Sequence, residues 1–356
     1  MLDIITMLIV FTPFIVIMLL ANVAEKDRQA EKRDSFMVFL AYGFPAALYL
    51  LLFGIGIAIQ VVGLIQTSSG TDMGAVYAEM GMDANTVNTL LEMLPLIGFS
   101  LWFPALLGLV LMMKPVRRLI ARAIPIDAES HVHAVALSFI AIVLVNMLVT
   151  LAIGIGVLAE ASQGGDGAEA RIFIQLWSQQ ILTAVLAMVG VGWLTRLRFP
   201  DVLRRLKITK VSAREIAIGI GFALILVPIV AGFEALGSFL GLGNPDVDAL
   251  TEALLGPLFT SIPGILTLGL AAAIGEETLF RGALQPRFGR IFTAFLFALL
   301  HSTYGVSLAF FAVFVLGFVL GWIRDRYSTT VAMVTHAAYN MTLGFIAYFA
   351  ISAGLF

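Results

Sequence analysis

Between Gly275 and Asn340, an otherwise apolar sequence is interrupted by three short patterns: Glu276-Glu277-x-x-x-Arg281, Phe297-x-x-x-His301 and His336-x-x-x-Asn340. An ionisable side chain at bilayer depth costs about 2.5–3.5 kcal/mol or more, so residues of this kind mark a functional site by default. These types suit hydrolysis by an activated water. A carboxylate in an apolar site can serve as general base, and His301 can share the water proton. His336 with Asn340 can donate hydrogen bonds to a developing oxyanion. The same set could instead bind zinc through Glu276, His301 and His336, with a fourth position open for water. Spacing alone does not choose between the two. There is no His-Glu-x-x-His pattern and no serine in a recognisable nucleophile motif.

Helical geometry assigns parts within each pattern. Residues four apart share a face, so Glu277 and Arg281 are expected to pair, while Glu276 points about 100° away and stays outside that pair. His336 and Asn340 likewise present two hydrogen-bonding groups on one face, and Phe297, one turn before His301, is read as packing. At a rise of about 1.5 Å per residue, Glu276, His301 and His336 fall at similar depths on three helices, near or below mid-membrane on the basic side.

The elements that must hold them are membrane helices. Of 356 residues 60% are hydrophobic and 12% charged, with a mean hydropathy of +1.01, which excludes a soluble domain. Cysteine is absent, so disulfides, thiolate metal ligands and a cysteine nucleophile are excluded. Ten apolar runs are long enough to count as spans, near 2 to 24, 36 to 64, 94 to 113, 134 to 160, 173 to 194, 216 to 241, 265 to 284, 288 to 304, 306 to 323 and 329 to 353. The first carries Asp3, no basic residue ahead of it and no clean cleavage site after it, so it is expected to be a retained helix rather than a secretory signal.

All but Arg171 and Arg281 of the 21 Lys and Arg residues fall in alternate connections, at 25 to 34, 114 to 133, 195 to 215, 285 to 290 and 324 to 328. The positive-inside rule then gives an all-α polytopic bundle of about ten transmembrane helices with both termini on the outer side. Two outer connections, Thr67 to Glu92 and Gly243 to Ser261, each contain a stretch suited to a short interfacial helix, Ala84 to Leu94 and Val247 to Leu255. Basic inner loops are read as lipid-headgroup contacts, with no nucleic acid as partner. Gln179, Gln180 and Asn146 are expected to hydrogen-bond between helices, and Gly317-x-x-x-Gly321 to permit a close helix crossing. Glu234 is read as lying where its helix leaves the membrane. His131 and His133 are read as an ordinary helix start.

The three patterns, in this order on successive hydrophobic segments, resemble the motifs of the CPBP family, the CAAX prenyl-protease and bacteriocin-processing intramembrane proteases that include the type II CAAX prenyl endopeptidase. The motif-bearing resemblance covers roughly 255 to 350. It implies peptide-bond hydrolysis within the membrane, with Glu276 and His301 activating water, His336 and Asn340 stabilising the oxyanion, and Glu277, Arg281 and Phe297 in support. Members are commonly labelled metalloproteases, while a metal-independent glutamate mechanism is also attributed to the family. The joint fit of His336 and Asn340 to an oxyanion role favours no cofactor, with zinc on Glu276, His301 and His336 as the alternative. The implied partners are a membrane-associated peptide or protein substrate and the lipid bilayer. The implied location is the cytoplasmic membrane of a prokaryote. Residues 173–350 are expected to form the catalytic bundle and 1–165 an N-terminal extension of about four helices that the motifs do not explain. Two rival readings use the same residues: a non-catalytic scaffold or bacteriocin immunity protein, and a proton-coupled transporter. Against the transporter stand the lack of internal repeats and of a polar chain continuing to the outer face.

Overall fold

With no water in a bilayer core, backbone polar groups must be satisfied within each segment, and the apolar runs accordingly form helices. The computed structural model describes residues 2–32, 36–69, 84–162, 168–301 and 308–354. Among them no strand occurs. The first half comprises α1 (Leu2–Gln29), α2 (Phe36–Ser69), α3 (Ala84–Leu111), α4 (Lys114–Ile120), α5 (His131–Ser138), α6 (Ile140–Ile153), α7 (Ile155–Ser162) and α8 (Ala168–Val191). The second comprises α9 (Phe199–Arg205), α10 (Ala213–Phe239), α11 (Pro245–Phe259), α12 (Ile262–Glu277), a π-helical turn (Thr278–Leu284), α13 (Gln285–Phe288), α14 (Arg290–Leu300), α15 (Leu308–Arg326) and α16 (Thr329–Ser352).

Among the described residues the expected all-α polytopic bundle is found, and eight of its helical stretches are long and apolar enough to cross a membrane. The described residues of the run at 288 to 304 form α14, whose 11 residues extend about 16 Å, half a hydrocarbon core; 302 to 304 lie outside the described residues. Gly289, at φ 79°, breaks the chain before it, a backbone that favours glycine, and His301 caps its other end. The last run forms α16, long enough at 24 residues but diluted by His336, Asn340 and several threonines. Val247 to Leu255 lies within α11, as an amphipathic helix with Val247, Leu250 and Leu258 buried. Ala84 to Leu94 is not a separate interfacial piece but the start of α3. Residues 70–83 of that outer connection lie outside the described residues.

The five basic connections gather at one end of the bundle. Arg28 pairs with Asp127 at 3.1 Å, Arg196 donates to Asn22 Oδ1 at 2.6 Å, Lys207 Nζ reaches the carbonyls of Arg324 and Asp325 at 3.3 Å, and Arg290 lies 3.7 Å from Asp325. At the opposite end Ser261 Oγ donates to Glu169 at 2.6 Å. Polar caps fix the helix starts that aim the site. Ser261 accepts from Gly264 N–H ahead of α12, and Ser328 accepts from Val331 N–H ahead of α16.

The second half packs around α12, which contacts α8 on one side and α16 on the other. Both approaches are close: a Cβ on Gly275 would come within 2.7 Å of the Gln180 carbonyl, and one on Gly269 within 2.9 Å of the Ala337 carbonyl. Gly317 and Gly321 of α15 face Phe297 and Gln285 in the same way, as their spacing predicts. The first half joins this core through α1 against α8 and α6 against α14.

Candidate active site

The π turn begins immediately after the two glutamates, and Arg281 lies inside it. π-helical turns inside α-helices recur at functional sites because the wider turn re-aims side chains. Here Glu277 and Arg281 are both fully buried, with Arg281 Nε 3.0 Å from Glu277 Oε2. The guanidinium also lies 4.7 Å from the centre of the Phe297 ring, a cation–π contact, and among the described residues neither of its Nη atoms has a hydrogen-bond partner. Glu277 Oε1 is 2.9 Å from His336 Nδ1, a contact the sequence patterns do not announce. A single carboxylate thus ties the π turn to α16. Losing either partner would leave a buried charge uncompensated, at about 3–5 kcal/mol.

Glu276 faces the other way, toward α8, where Gln180 Nε2 donates to its Oε1 at 3.1 Å. Its Oε2 is buried with no hydrogen-bond partner among the described residues. Gln180 therefore bonds between helices as expected, and its partner is the candidate base. His301 Nδ1 lies 2.8 Å from the carbonyl of Phe297. A carbonyl can only accept, so Nδ1 carries the proton and, in the neutral ring, Nε2 is the acceptor. The same reasoning on His336 has a different outcome. Its Nδ1–H is spent on Glu277, so it can donate to an oxyanion only from Nε2, as the imidazolium. Phe297 packs, as read: its ring centre is 5.1 Å from that of Phe280, 4.6 Å from His301 and 6.2 Å from His336.

Glu276, His301, His336 and Asn340 all line one chamber of about 2430 Å³. Small-molecule pockets typically occupy about 300–1,000 Å³, so this one suits a peptide segment. Its walls are not confined to the second half. Phe11 and Phe14 of α1 and Phe139, Val143 and Asn146 on or beside α6 contribute, and sequence reasoning missed this because no local pattern marks a wall-forming face. The chamber also reaches Glu234, Asp248 and Glu252 toward the other end of the bundle. His133 lines the basic end, where its Nδ1 accepts from Asp127 N–H at 2.9 Å, and His131 contacts Tyr42 at 3.3 Å. Among the described residues no group of three His, Asp or Glu side chains that could hold a metal ion is found.

Residues 258–342 match the family described as type II CAAX prenyl endopeptidase Rce1-like. This segment is Rce1-like. It runs from the end of α11 through the π turn into α16 and contains all seven residues of the three patterns, so the family resemblance read from those patterns holds. The Rce1-like family is one of proteases, and with its many apolar helices the chain is a multi-pass membrane protein. Gln180 and the N-terminal walls of the chamber lie outside the Rce1-like segment. No curated protein and no solved structure matches the chain.

Proposed function

We propose that the chain is an intramembrane endopeptidase that cuts a membrane-associated peptide or protein near the basic face of the bundle, in the cytoplasmic membrane of a prokaryote. The observation that carries this reading is the convergence of Glu276, His301, His336 and Asn340 on one peptide-sized chamber. Glu276 takes a proton from water while His301 Nε2 orients it, and the water oxygen adds to the scissile carbonyl carbon. His336 Nε2–H and the Asn340 amide donate to the oxyanion. The C–N bond then breaks as the leaving nitrogen takes the proton back from Glu276. Glu277 holds His336 in the donating form, and Arg281 neutralises Glu277. No metal is assigned to these steps. Residues 173–350 form the catalytic bundle, and 1–165 an extension that supplies part of the chamber wall.

The test compares membrane proteomes of cells expressing wild type and Glu276→Ala, reading new peptide termini near predicted inner membrane boundaries. Termini present only with wild type support the protease and name its substrate. Identical profiles, with any phenotype retained by the mutant, overturn it in favour of a scaffold or immunity role. The acidic side chains at the far end of the chamber favour a second reading, a proton-coupled carrier. Proton uptake by proteoliposomes that Glu276→Ala abolishes, without any cleavage, would select it.

A further inference from the structure

Gln180 sits in α8, outside the segment that the family match covers and outside all three motifs. It is 5% exposed, and the nitrogen end of its amide is held by a hydrogen bond. Nε2 donates to Glu276 Oε1 at 3.1 Å, while Oε1 packs against Gly275, where a Cβ would fall 2.0 Å away. This bond exists because position 275 is glycine, which lets the α8 backbone approach so closely that the amide reaches past it to the neighbouring carboxylate. Glu276 Oε2 is then left buried without a hydrogen-bond partner among the described residues, as is Gln180 Oε1. A buried acceptor without a donor is unfavourable by about 1–3 kcal/mol, and a water beside Oε2 would relieve it.

We propose that Gln180 is a positioning residue that holds Glu276 by one oxygen and so aims the other at the attacking water. This rests on reading Glu276 as the base. The chemistry of the partner matters. A cation in place of the amide would neutralise the carboxylate, as Arg281 does for Glu277. A neutral donor fixes the orientation of Glu276 and leaves its charge available for proton transfer. The proton moves from water to Oε2, and Oε1 stays on the Gln180 amide throughout.

The test takes purified wild type, Glu276→Ala, Gln180→Leu, Gln180→Met and Gln180→Glu. On a substrate named by the terminus comparison, kcat and KM are separated. In parallel, isotope-edited infrared difference spectra, wild type against Glu276→Gln, isolate the Glu276 carboxyl band without any substrate. Gln180→Leu is expected to lower kcat roughly tenfold with KM and thermal unfolding unchanged, the scale of one neutral hydrogen bond, and to shift the band. Gln180→Met does the same wherever leucine disturbs the α8–α12 contact. Gln180→Glu, which sets a second carboxylate against Glu276, lowers kcat further. Full kcat in Gln180→Leu alongside a dead Glu276→Ala overturns the inference, as does an unmoved band. An active Glu276→Ala overturns the choice of base instead. Absence of turnover in wild type fails the protease reading, and the band then decides alone whether Gln180 holds Glu276.

Discussion

Glu276 and Glu277 are neighbours in sequence and opposites in environment. Glu277 is fully buried and held by two groups able to carry positive charge, Arg281 at 3.0 Å and His336 at 2.9 Å. Among the described residues, Glu276 lines the chamber, is held by one neutral amide and keeps one oxygen without a hydrogen-bond partner. The contrast follows from the helix itself, which turns about 100° between them and so delivers one carboxylate to the packed interior and the other to the chamber. On the proposed reading, a doubled acidic pair in a membrane helix divides labour: the neutralised carboxylate builds the site, and the one left un-neutralised does the chemistry.

The sharpest way to break this comparison is to remove each half. Glu276→Ala is expected to lower cleavage by about 100-fold or more, the scale of a lost general base, while folded yield in detergent stays at the wild-type level. Arg281→Ala is expected to show the reverse order of effects. It strands Glu277 with only His336 and should destabilise the bundle by about 3–5 kcal/mol, read as lost folded yield and a lower unfolding temperature. Equal loss of folded protein in both variants would erase the distinction. A gentler probe acts on the Glu276 side alone. Gly275→Ala places a methyl group 2.7 Å from the Gln180 carbonyl, an overpacking worth about 1–3 kcal/mol. It should reduce kcat by moving α8 and its amide away. Gln180→Ala removes the side-chain Oε1 that this methyl would meet at 2.0 Å but keeps the carbonyl, so a partial rescue of stability without rescue of activity would sharpen the assignment.

The sequence makes one half of this contrast visible and conceals the other. The Glu277–Arg281 pair follows from four-residue spacing, and the common depth of Glu276, His301 and His336 from counting helical rises. The clustering of basic loops follows from the positive-inside rule. What escapes are contacts between segments distant in the chain. Gln180 is 96 residues from Glu276, and His336 is 59 from Glu277, and nothing local encodes either meeting. The short α14 escapes for another reason. A hydropathy window runs on past Leu300, whereas the helix is bounded by Gly289 on one side and by the non-helical backbone of His301 on the other. Hydropathy reports where a chain prefers lipid and is silent about where a helix stops.

The smallest expected change in stability comes from the largest change in composition, and it separates the two tasks of the Glu277 side. Replacing both members of a buried ion pair with apolar residues of similar volume is often neutral, because the desolvation of two charges is relieved together with the loss of their attraction. Glu277→Leu combined with Arg281→Met should therefore recover most of the folded yield that Arg281→Ala loses. The thioether introduced by Arg281→Met would still pack on Phe297, as such groups do on aromatic rings. His336, however, would lose the acceptor that holds its Nδ1–H, and with it the means of presenting Nε2–H to an oxyanion. A well-folded double variant with kcat reduced about 100- to 1,000-fold, the range for a lost oxyanion donor, would show that Glu277 orients chemistry as well as packing. A well-folded double variant with wild-type kcat would confine Glu277 to the scaffold and leave Asn340 as the main oxyanion donor.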